Sequence, residues 1–316
     1  LRNYGFEMEV RANILNNPKG LTWDVTANLS SVANKIVKLP YNGNPNNRVG
    51  GYEVATGRKK ADGTDETKWI AGRQEGGKLG ELVAYKQNHI FKDWDDVKKY
   101  ANNRIDEVAN LYGPGLAAQY AGKEGWQPIE PGDVCWEDIN GDGVINGYDR
   151  QVVGNIFPKV TGGFSTTLGY KNLSLYARFD YALGHTIYND LAARSLGQYQ
   201  GSFNIIKEVK KTWSETNTDT DLPAFYYADQ LSKKNITRSN NGLTAIDNNS
   251  SRFYEKGDYL ALRELTLNYN LPKTWISKVG MTDASVYVTG QNLFYITGYT
   301  GVSPEPAVDT TYGRGI

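Results

Sequence analysis

The chain has 316 residues, and its 35 Lys and Arg residues balance its 35 Asp and Glu residues. This balance gives no general attraction to nucleic acid, and no stretch approaches the roughly 18 consecutive apolar residues of a transmembrane helix. The 22 Tyr and 34 Gly residues instead predict an all-β protein with many turns, which leaves a membrane β-barrel open because its apolar band is hidden in alternation.

The first predicted element is a hairpin at the start of the chain, which opens on a strand pattern without Met or a signal peptide. We therefore expect a mature or partial chain. Apolar and polar residues alternate on both sides of a turn at 16–20, so each strand has one apolar face. The apolar positions are Phe6, Met8, Val10, Ala12 and Ile14, then Leu21, Trp23, Val25, Ala27 and Leu29.

A helix is predicted within 92–111, where apolar residues recur at helical spacing after Asp93, a suitable N-cap. An enzyme such as a glycosidase would need paired carboxylates. The acidic candidates are Asp93, Asp95, Asp96 and Glu137. Because acids at a helix start simply favour the helix dipole, no catalytic pair stands out and we expect no enzyme.

The stretch DINGDGVINGYD, residues 138–149, places oxygen-bearing side chains at the spacing of a twelve-residue calcium loop. The predicted ligands are Asp138, Asn140, Asp142, the carbonyl of Val144, and Asp149. Because the last position is Asp and not the usual Glu, we expect a weaker Ca²⁺ site that also tolerates Mg²⁺. The alternative is an Asx-rich turn that binds no metal.

The residues on both sides of this loop, 134–136 and 151–153, have an extended pattern. This pattern predicts a structural clip in a long connection and not a helix–loop–helix switch. Cys135 is the only cysteine in the chain, so no internal disulfide can form, and we expect a buried thiol.

A second hairpin is predicted at 164–183, with its turn at Lys171 and Asn172, and further strands at 264–271 and 284–294. On its second strand the apolar face carries Leu173, Leu175, Ala177, Phe179, Tyr181 and Leu183, and the opposite face carries Ser174, Tyr176, Arg178 and Asp180. A short helix is also expected around 203–209, followed by a long polar loop at 219–251.

These strands run for about ten residues, which is long enough to cross a bilayer when tilted. Short turns alternate with long polar connections, as in outer-membrane barrels. The alternative is a soluble, calcium-braced β-sandwich that acts as a binding module.

Aromatic residues in the connections could contact a substrate or simply pack within loops; they are Tyr199, Trp213, Phe225, Tyr226 and Tyr227. The substrate-binding residues remain unassigned.

Three long sequence segments resemble the C-terminal part of SusC/RagA-type TonB-dependent outer-membrane transporters. The first is Gly132-Asp133 with the loop 138–149, VGN at 153–155 and PKVTGGF at 158–164. The second is SRFYEKGDYLALRELTL at 251–267, then Tyr269 and Leu271-Pro272. The third is VYVTGQNLF at 286–294, then GYTG at 298–301 and Pro304-Glu305.

This resemblance implies that residues 1–316 are the C-terminal portion of a 22-stranded barrel in the outer membrane of a Gram-negative bacterium. A long extracellular loop at about 60–158 would carry the helix and the metal loop. The plug domain, the N-terminal barrel strands and the last strand would be absent. The implied partners are that remainder of the transporter, the TonB complex, a SusD-like surface lipoprotein, membrane lipid, and a glycan or peptide substrate.

Overall fold

The computed structural model describes residues 1–17, 19–100, 131–142, 147–197, 206–225 and 250–305. Within these ranges the chain forms fourteen strands and three short α-helices. The strands are β1 Arg2–Asn16, β2 Leu21–Lys35, β3 Tyr52–Lys59, β4 Asp65–Ile70, β5 Glu81–Tyr85, β6 Gln87–Ile90, β7 Val134–Trp136, β8 Arg150–Asn155, β9 Val160–Tyr170, β10 Leu173–Leu183, β11 Thr186–Tyr188, β12 Tyr254–Lys256, β13 Tyr259–Asn270 and β14 Ser285–Thr297. The helices are α1 Trp94–Tyr100, α2 Asp190–Gly197 and α3 Lys273–Ile276. None of these helices is long and apolar enough to cross a membrane.

The six longest strands form one antiparallel sheet in the order β1-β2-β9-β10-β13-β14. We call the described residues within 1–35, 156–186 and 256–305 the sheet unit. Each strand pairs with the next of these six along the chain, as in an up-and-down barrel wall. Their lengths of 11 to 15 residues exceed the length of an ordinary strand and match a tilted membrane crossing.

The strand register separates apolar from polar side chains row by row, because successive residues of a strand point to opposite faces. One row across all six strands is apolar: Val10, Ala27, Phe164, Phe179, Leu262 and Phe294. A nearby row on the opposite face is polar: Arg11, Thr26, Ser165, Arg178, Glu264 and Gln291. The two predicted hairpins are therefore confirmed, and so are their face assignments except at Ile14.

The apolar face of this sheet is exposed rather than packed against a second layer. Phe6 is 58% exposed, Leu267 47% and Val288 72%. A soluble sandwich would bury such residues between two sheets. The six long strands form a single layer, so the sandwich alternative is disfavoured.

The connections at the two ends of the sheet differ greatly in length. At one end lie the segments 17–20, 171–172 and 271–284, the last of which contains α3. The opposite end carries the segments 36–159 and 184–258. The predicted long loop at about 60–158 falls within the first of these.

The described residues within 36–155 and 187–255 form a second compact body, which we call the connection unit. It contains three antiparallel strand pairs, β3–β4, β5–β8 and β6–β7. Its core cluster consists of Tyr85, Ile90, Val134 and Trp136, with Trp213 packed against it. The extended flanks of the predicted metal loop are confirmed as β7 and β8, and Cys135 is buried as expected.

Several local predictions need correction. Ile14 was predicted to continue the apolar row of the first strand, but a β-bulge between Asn13 and Leu15 makes it the extra residue and places Leu15 opposite Trp23. Helix α2 was not predicted, and three short helices are seen where one or two were expected. Of the predicted helix 92–111, residues 94–100 are confirmed as α1, and the rest lies outside the described residues. The helix expected at 203–209 is described only from 206 onward, where a 3₁₀ turn spans Lys207–Lys211.

Candidate functional site

The predicted metal loop joins β7 to β8, and its two ends are tied together by a buried carboxylate. Asp149 is fully buried, and its Oδ1 accepts a hydrogen bond of 2.9 Å from the Ile139 backbone N–H. Asp138 Oδ1 accepts a bond of 2.9 Å from Gly141 N, which has a left-handed φ of 71°. This backbone conformation favours glycine, so the first turn of the loop depends on it.

Asn140 connects the loop to a residue that the sequence reasoning missed. Its Nδ2 donates to Asp142 Oδ2 at 2.9 Å and to Asp65 Oδ2 at 3.0 Å. Asp65 lies in β4 and also pairs with Lys59. The hydrogen bonds from Lys59 and Asn140 lower the pKa of the Asp65 carboxyl, so it stays ionised beside the loop.

The donor chemistry of this loop fits a hard cation, since the side chains of Asp138, Asn140, Asp142 and Asp149 offer only oxygen ligands besides one amide nitrogen. Two features show that the loop does not have the geometry of a complete metal site. The Asn140 amide N–H groups now occupy the space between the carboxylates of Asp65 and Asp142. In addition, no three His, Cys, Asp or Glu residues converge at metal-binding distance among the described residues. Val144, the predicted carbonyl ligand, lies outside the described residues.

The polar face of the sheet carries a second cluster, centred on Arg263. The register of β13 against β10 shifts between Leu262 and Glu264, which makes Arg263 the extra residue of a β-bulge. Against β14 the shift has the opposite sense, with Asn292 and Leu293 standing against Arg263 alone. Its Nε donates to Asp180 Oδ2 at 2.5 Å. Its guanidinium also contacts Glu305, and its Nη1 donates to the Tyr295 hydroxyl at 3.1 Å.

Glu305 lies beyond β14, so this cluster fastens the following segment to the sheet. Partial burial disfavours the Glu305 charge, but the hydrogen bonds from Arg263 and Tyr295 outweigh it and lower the pKa of that carboxyl. The side chain of Arg263 is only 15% exposed, against 37% for Glu305. The spacing of the apolar residues in β13 already signals the bulge: Leu260 and Leu262 alternate, and then the phase moves by one residue to Leu265 and Leu267.

The other predicted candidates have structural contacts. Trp213 packs on the core cluster and donates from Nε1 to the Lys92 carbonyl at 3.2 Å, as expected for loop packing. Phe225 is half-buried, while Tyr199, Tyr226 and Tyr227 lie outside the described residues. Asp93 caps α1 by accepting from Asp96 N at 2.9 Å. Glu137 accepts from Gln151 at 2.9 Å and pairs with Lys86.

Comparison with known proteins identifies relatives along nearly the whole chain. It is 28% identical over 305 residues to TonB-dependent receptor P3 of Formosa agariphila, covering 96% of this chain and 25% of that protein. It is 24% identical over 307 residues to TonB-dependent receptor SusC of Bacteroides thetaiotaomicron, covering 96% and 24%. The chain is a homologue of proteins named TonB-dependent receptors, and SusC is one of them.

A third relative, TonB-dependent receptor P26 of Formosa agariphila, is 30% identical over 187 residues, which cover 59% of this chain and 17% of that protein. The chain thus spans about a quarter or less of the length of these curated relatives. No family model matches the sequence.

Solved structures show a similar fold. A structure of the RagAB peptide transporter aligns with a TM-score of 0.57 at 19% identity, over 96% of this chain and 26% of that one. The RagAB peptide importer in its closed-closed state aligns with a TM-score of 0.55 at 22% identity, over the same shares. The predicted fold class, an antiparallel segment of such a barrel, is confirmed, and the total of 22 strands stays a prediction.

Proposed function

We propose that this chain forms part of the wall of a TonB-dependent nutrient importer in the outer membrane of a Gram-negative bacterium. The observation that carries the proposal is the separation of the two faces across the six long strands. One face carries apolar residues that include the exposed Phe6, Leu267 and Val288, and the other face carries polar rows. A barrel wall with lipid outside and water inside needs this separation over strands of this length. The long connections at one end then lie on the outer surface.

The edges of the sheet indicate which partners the wall needs. Within the described residues β1 and β14 each pair on one side only. A bilayer does not tolerate unpaired backbone groups, since each costs several kcal/mol. We therefore infer that further strands of the same transporter complete the barrel around a plug domain.

The resemblance to SusC/RagA-type transporters suggests the remaining partners. Energy for import would come from the TonB complex, which would act on a region outside this chain. A SusD-like lipoprotein would cover the outer end, and the cargo would be a glycan or a peptide. We infer no catalytic step, because the named relatives are receptors. The contacts of Asp93, Asp96 and Glu137 are those of helix capping, hydrogen bonds and ion pairs.

The test uses the intact polypeptide that contains these residues, tagged in its native bacterium. We expect it in the dense outer-membrane fraction and soluble only in detergent. Uptake of its cargo should stop when the TonB complex is deleted, while a porin-mediated solute in the same cells enters unchanged. Recovery of a monodisperse protein from plain buffer would instead favour the sandwich module.

We further propose that the loop 138–149 binds Ca²⁺, or Mg²⁺ more weakly, through Asp138, Asn140, Asp142, the Val144 carbonyl and Asp149. The support is the oxygen-rich donor set and the buried Asp149 that closes the loop. A bound cation would stiffen the connection between β7 and β8 without taking part in chemistry. Because Asp65 shares Asn140 with this loop, it would add negative charge beside the ion.

Saturating Ca²⁺ should raise the melting temperature of the intact protein, since a ligand of the folded state stabilises it by about 2.7 kcal/mol at a hundredfold excess over Kd. D142N should remove most of this rise. D95N is the matched control, because Asp95 is exposed at the start of α1 and away from the loop. A calcium response that D142N leaves intact would rule out this ligand set.

A further inference from the structure

The short-turn end of the sheet unit concentrates positive charge. Its segments 17–20, 171–172 and 271–284 contain four lysines and a single acidic residue, Asp283. All four lysines are exposed, and none forms an ion pair with a residue that the structure describes; they are Lys19, Lys171, Lys273 and Lys278. We call these four lysines the lysine rim. Short turns of a barrel lie on the inner side of the outer membrane, so the proposed barrel places the rim near the inner leaflet.

The strand register brings the three segments side by side. Leu21 and Leu173 both pair with Tyr170, so the first turn lies next to the second. The Asn270 N–H donates to the Asn172 carbonyl at 2.8 Å, which holds the start of the third segment against the second. Lysines from three separate connections therefore line one end of the sheet.

The last row of the apolar face, next to the lysine rim, has the composition of a membrane interface. All its members are exposed: Leu21, Tyr170, Leu173, Tyr269 and Val286. Tyrosine gathers at the level of lipid headgroups because its ring is apolar and its hydroxyl is polar. Lys171 Nζ lies 5.2 Å from the centre of the Tyr170 ring, which places one lysine of the rim at this level.

The third segment also exposes large apolar side chains beside its lysines. Helix α3 and the 3₁₀ turn that follows it bury Ile276, whereas Trp275 is 61% exposed and Val279 is exposed as well. Trp275 and Val279 are four residues apart, the spacing of neighbours on one side of a helix. Lys273 precedes this pair and Lys278 lies between its members. Exposed Trp together with lysine is typical of segments that lie among lipid headgroups.

The acidic residues at this end do not offset the lysines. Asp283 is exposed and forms no ion pair with any described residue, so four lysines against one aspartate leave a net charge of +3 in the three segments. Asp24, three residues after Leu21, lies in a row of the opposite, polar face and accepts a hydrogen bond from Asn13. A basic rim that continues an exposed apolar face is complementary to a molecule with an anionic headgroup and acyl chains.

We propose that the lysine rim is a docking surface for anionic phospholipids of the inner leaflet, with headgroup phosphates held by the lysines and Trp275 inserted among the headgroups. This assignment rests on the proposed position of the sheet in a membrane, and it adds the class of lipid that this part of the wall prefers. Each lysine near an anionic lipid surface strengthens binding about fivefold. A soluble phosphate would gain from the same charges but not from the tyrosine row or Trp275.

The test uses the intact transporter, with any copurifying chains, reconstituted into phosphatidylcholine vesicles. Part of the lipid is replaced by brominated phosphatidylglycerol or, in a parallel series, by brominated phosphatidylcholine, because bromine quenches the fluorescence of a Trp that it contacts. Subtraction of the signal of W275F isolates Trp275 from the other tryptophans. We expect the anionic lipid to bind beside Trp275 about fivefold or more tightly than the neutral lipid, and this preference should weaken in about 0.5 M salt.

K273Q/K278Q should reduce the preference to less than about twofold. K35Q/K256Q is the matched control, because it removes the same charge from exposed lysines at the opposite end of the sheet unit. It should leave the preference unchanged.

Should K273Q/K278Q fail to fold, K19Q/K171Q tests the same rim from the two neighbouring turns, and a reduced preference is again expected. Inorganic phosphate, added at constant ionic strength, should not change the preference. Its abolition by phosphate would assign the rim to a soluble anion and overturn the lipid surface.

Three further results would overturn the docking surface: equal quenching of Trp275 by the two lipids, no quenching of Trp275, or a preference that survives in K273Q/K278Q. A failure of the transport proposal is recognised separately, because a soluble module would not insert into vesicles at all. A protein that inserts but shows no lipid preference at Trp275 would lose the docking surface and keep its place in the barrel wall.

Discussion

In the sheet unit, rows of large apolar side chains lie on the surface, whereas the connection unit has a buried apolar core. Leu175, Leu267 and Val288 form one exposed row across β10, β13 and β14. Phe91 and Val97 of the connection unit are 0% exposed. The same kind of residue thus has two environments in one chain. The proposed barrel accounts for this difference, because it places one face of the sheet against hydrocarbon and the connection unit in water.

The two units also differ in where their charged residues lie. In the connection unit, exposed pairs such as Arg58 with Glu66 lie at the surface, where each contributes little. In the sheet unit, the charges of Arg263 and Asp180 are confined to the face opposite the apolar rows. Composition alone could not separate the Arg263 cluster from the exposed ion pairs, because it shows only that positive and negative residues are equal in number.

The largest expected effect comes from placing a charge on the exposed apolar face. Leu267 is 47% exposed, and on a soluble protein L267R would be nearly neutral. Against hydrocarbon the same change should cost about 2–4 kcal/mol. Urea unfolding of the intact protein from lipid vesicles measures this cost.

The control for this substitution is T266R, one residue away on the opposite face, where Thr266 is paired with Tyr176 and Thr289. It should cost less than about 0.5 kcal/mol, since surface changes in water are mild. If both variants are equally stable, the apolar face does not contact lipid and the comparison between the two units fails.

The second prediction concerns the packing inside the connection unit. Gly132 has a φ of 93°, and a Cβ there would lie 2.6 Å from Trp213 and 2.8 Å from the Ala224 Cβ. Its N–H and C=O also bond Phe91 and Ala224. G132A should therefore cost about 2–3 kcal/mol through backbone strain and overpacking.

Thermal unfolding followed by Trp fluorescence measures this loss. G63A is the control, since Gly63 has a similar φ of 83° but nothing within 4 Å of its Cβ position. The difference between the two variants isolates the crowding at Trp213 from the cost of the backbone conformation. Equal losses of stability in G132A and G63A would show that the packing around Gly132 contributes nothing.

How much of this could be read from the sequence depends on how local the signal is. The hairpins β1–β2 and β9–β10 were predicted because period-two alternation and turn residues are properties of neighbouring positions. The cap at Asp93 and the extended flanks of the metal loop follow from equally local patterns. These predictions needed no knowledge of distant partners.

The missed features depend on contacts between distant residues. Asp65 reaches Asn140 from 75 positions away, and nothing near Asp65 in the sequence indicates a metal loop. Glu305 contacts Arg263 at the β-bulge of β13. The spacing of the apolar residues in β13 indicates this bulge, but nothing in the sequence indicates which residues Arg263 contacts. Helix α2 is only eight residues long, too short for its periodicity to stand out.

The third prediction tests the buried cluster of the sheet unit. R263Q leaves Asp180 and Glu305 without their cation and should cost about 1–2 kcal/mol, reduced from a fully buried pair because both carboxylates are over a third exposed. R58Q is the control for an exposed pair and should cost less than about 0.5 kcal/mol. Urea unfolding of both variants gives the comparison.

This cluster also predicts a pH dependence. The pKa of Glu305 is lower in the folded protein than in the unfolded chain, so its contribution is present above the ordinary carboxylate pKa. That contribution is lost as the pH falls through the lowered folded value. Between about pH 7 and about pH 4 or below, wild type should therefore lose more stability than R263Q. Parallel pH profiles for the two proteins would contradict this assignment.

The smallest expected effect is at the start of α1, where Asp93 Oδ1 accepts from Asp96 N at 2.9 Å. D93A removes this cap and should cost about 1 kcal/mol, while D95N, at a position without a cap bond, should cost a few tenths. Hydrogen exchange of the α1 amides measures both. Because a cap acts through water-exposed N–H groups, the cost should be the same in detergent and in lipid vesicles. The stability cost of L267R, by contrast, should depend on the apolar medium. If the costs of D93A and L267R changed in the same way between detergent and vesicles, the distinction between the two units would not hold.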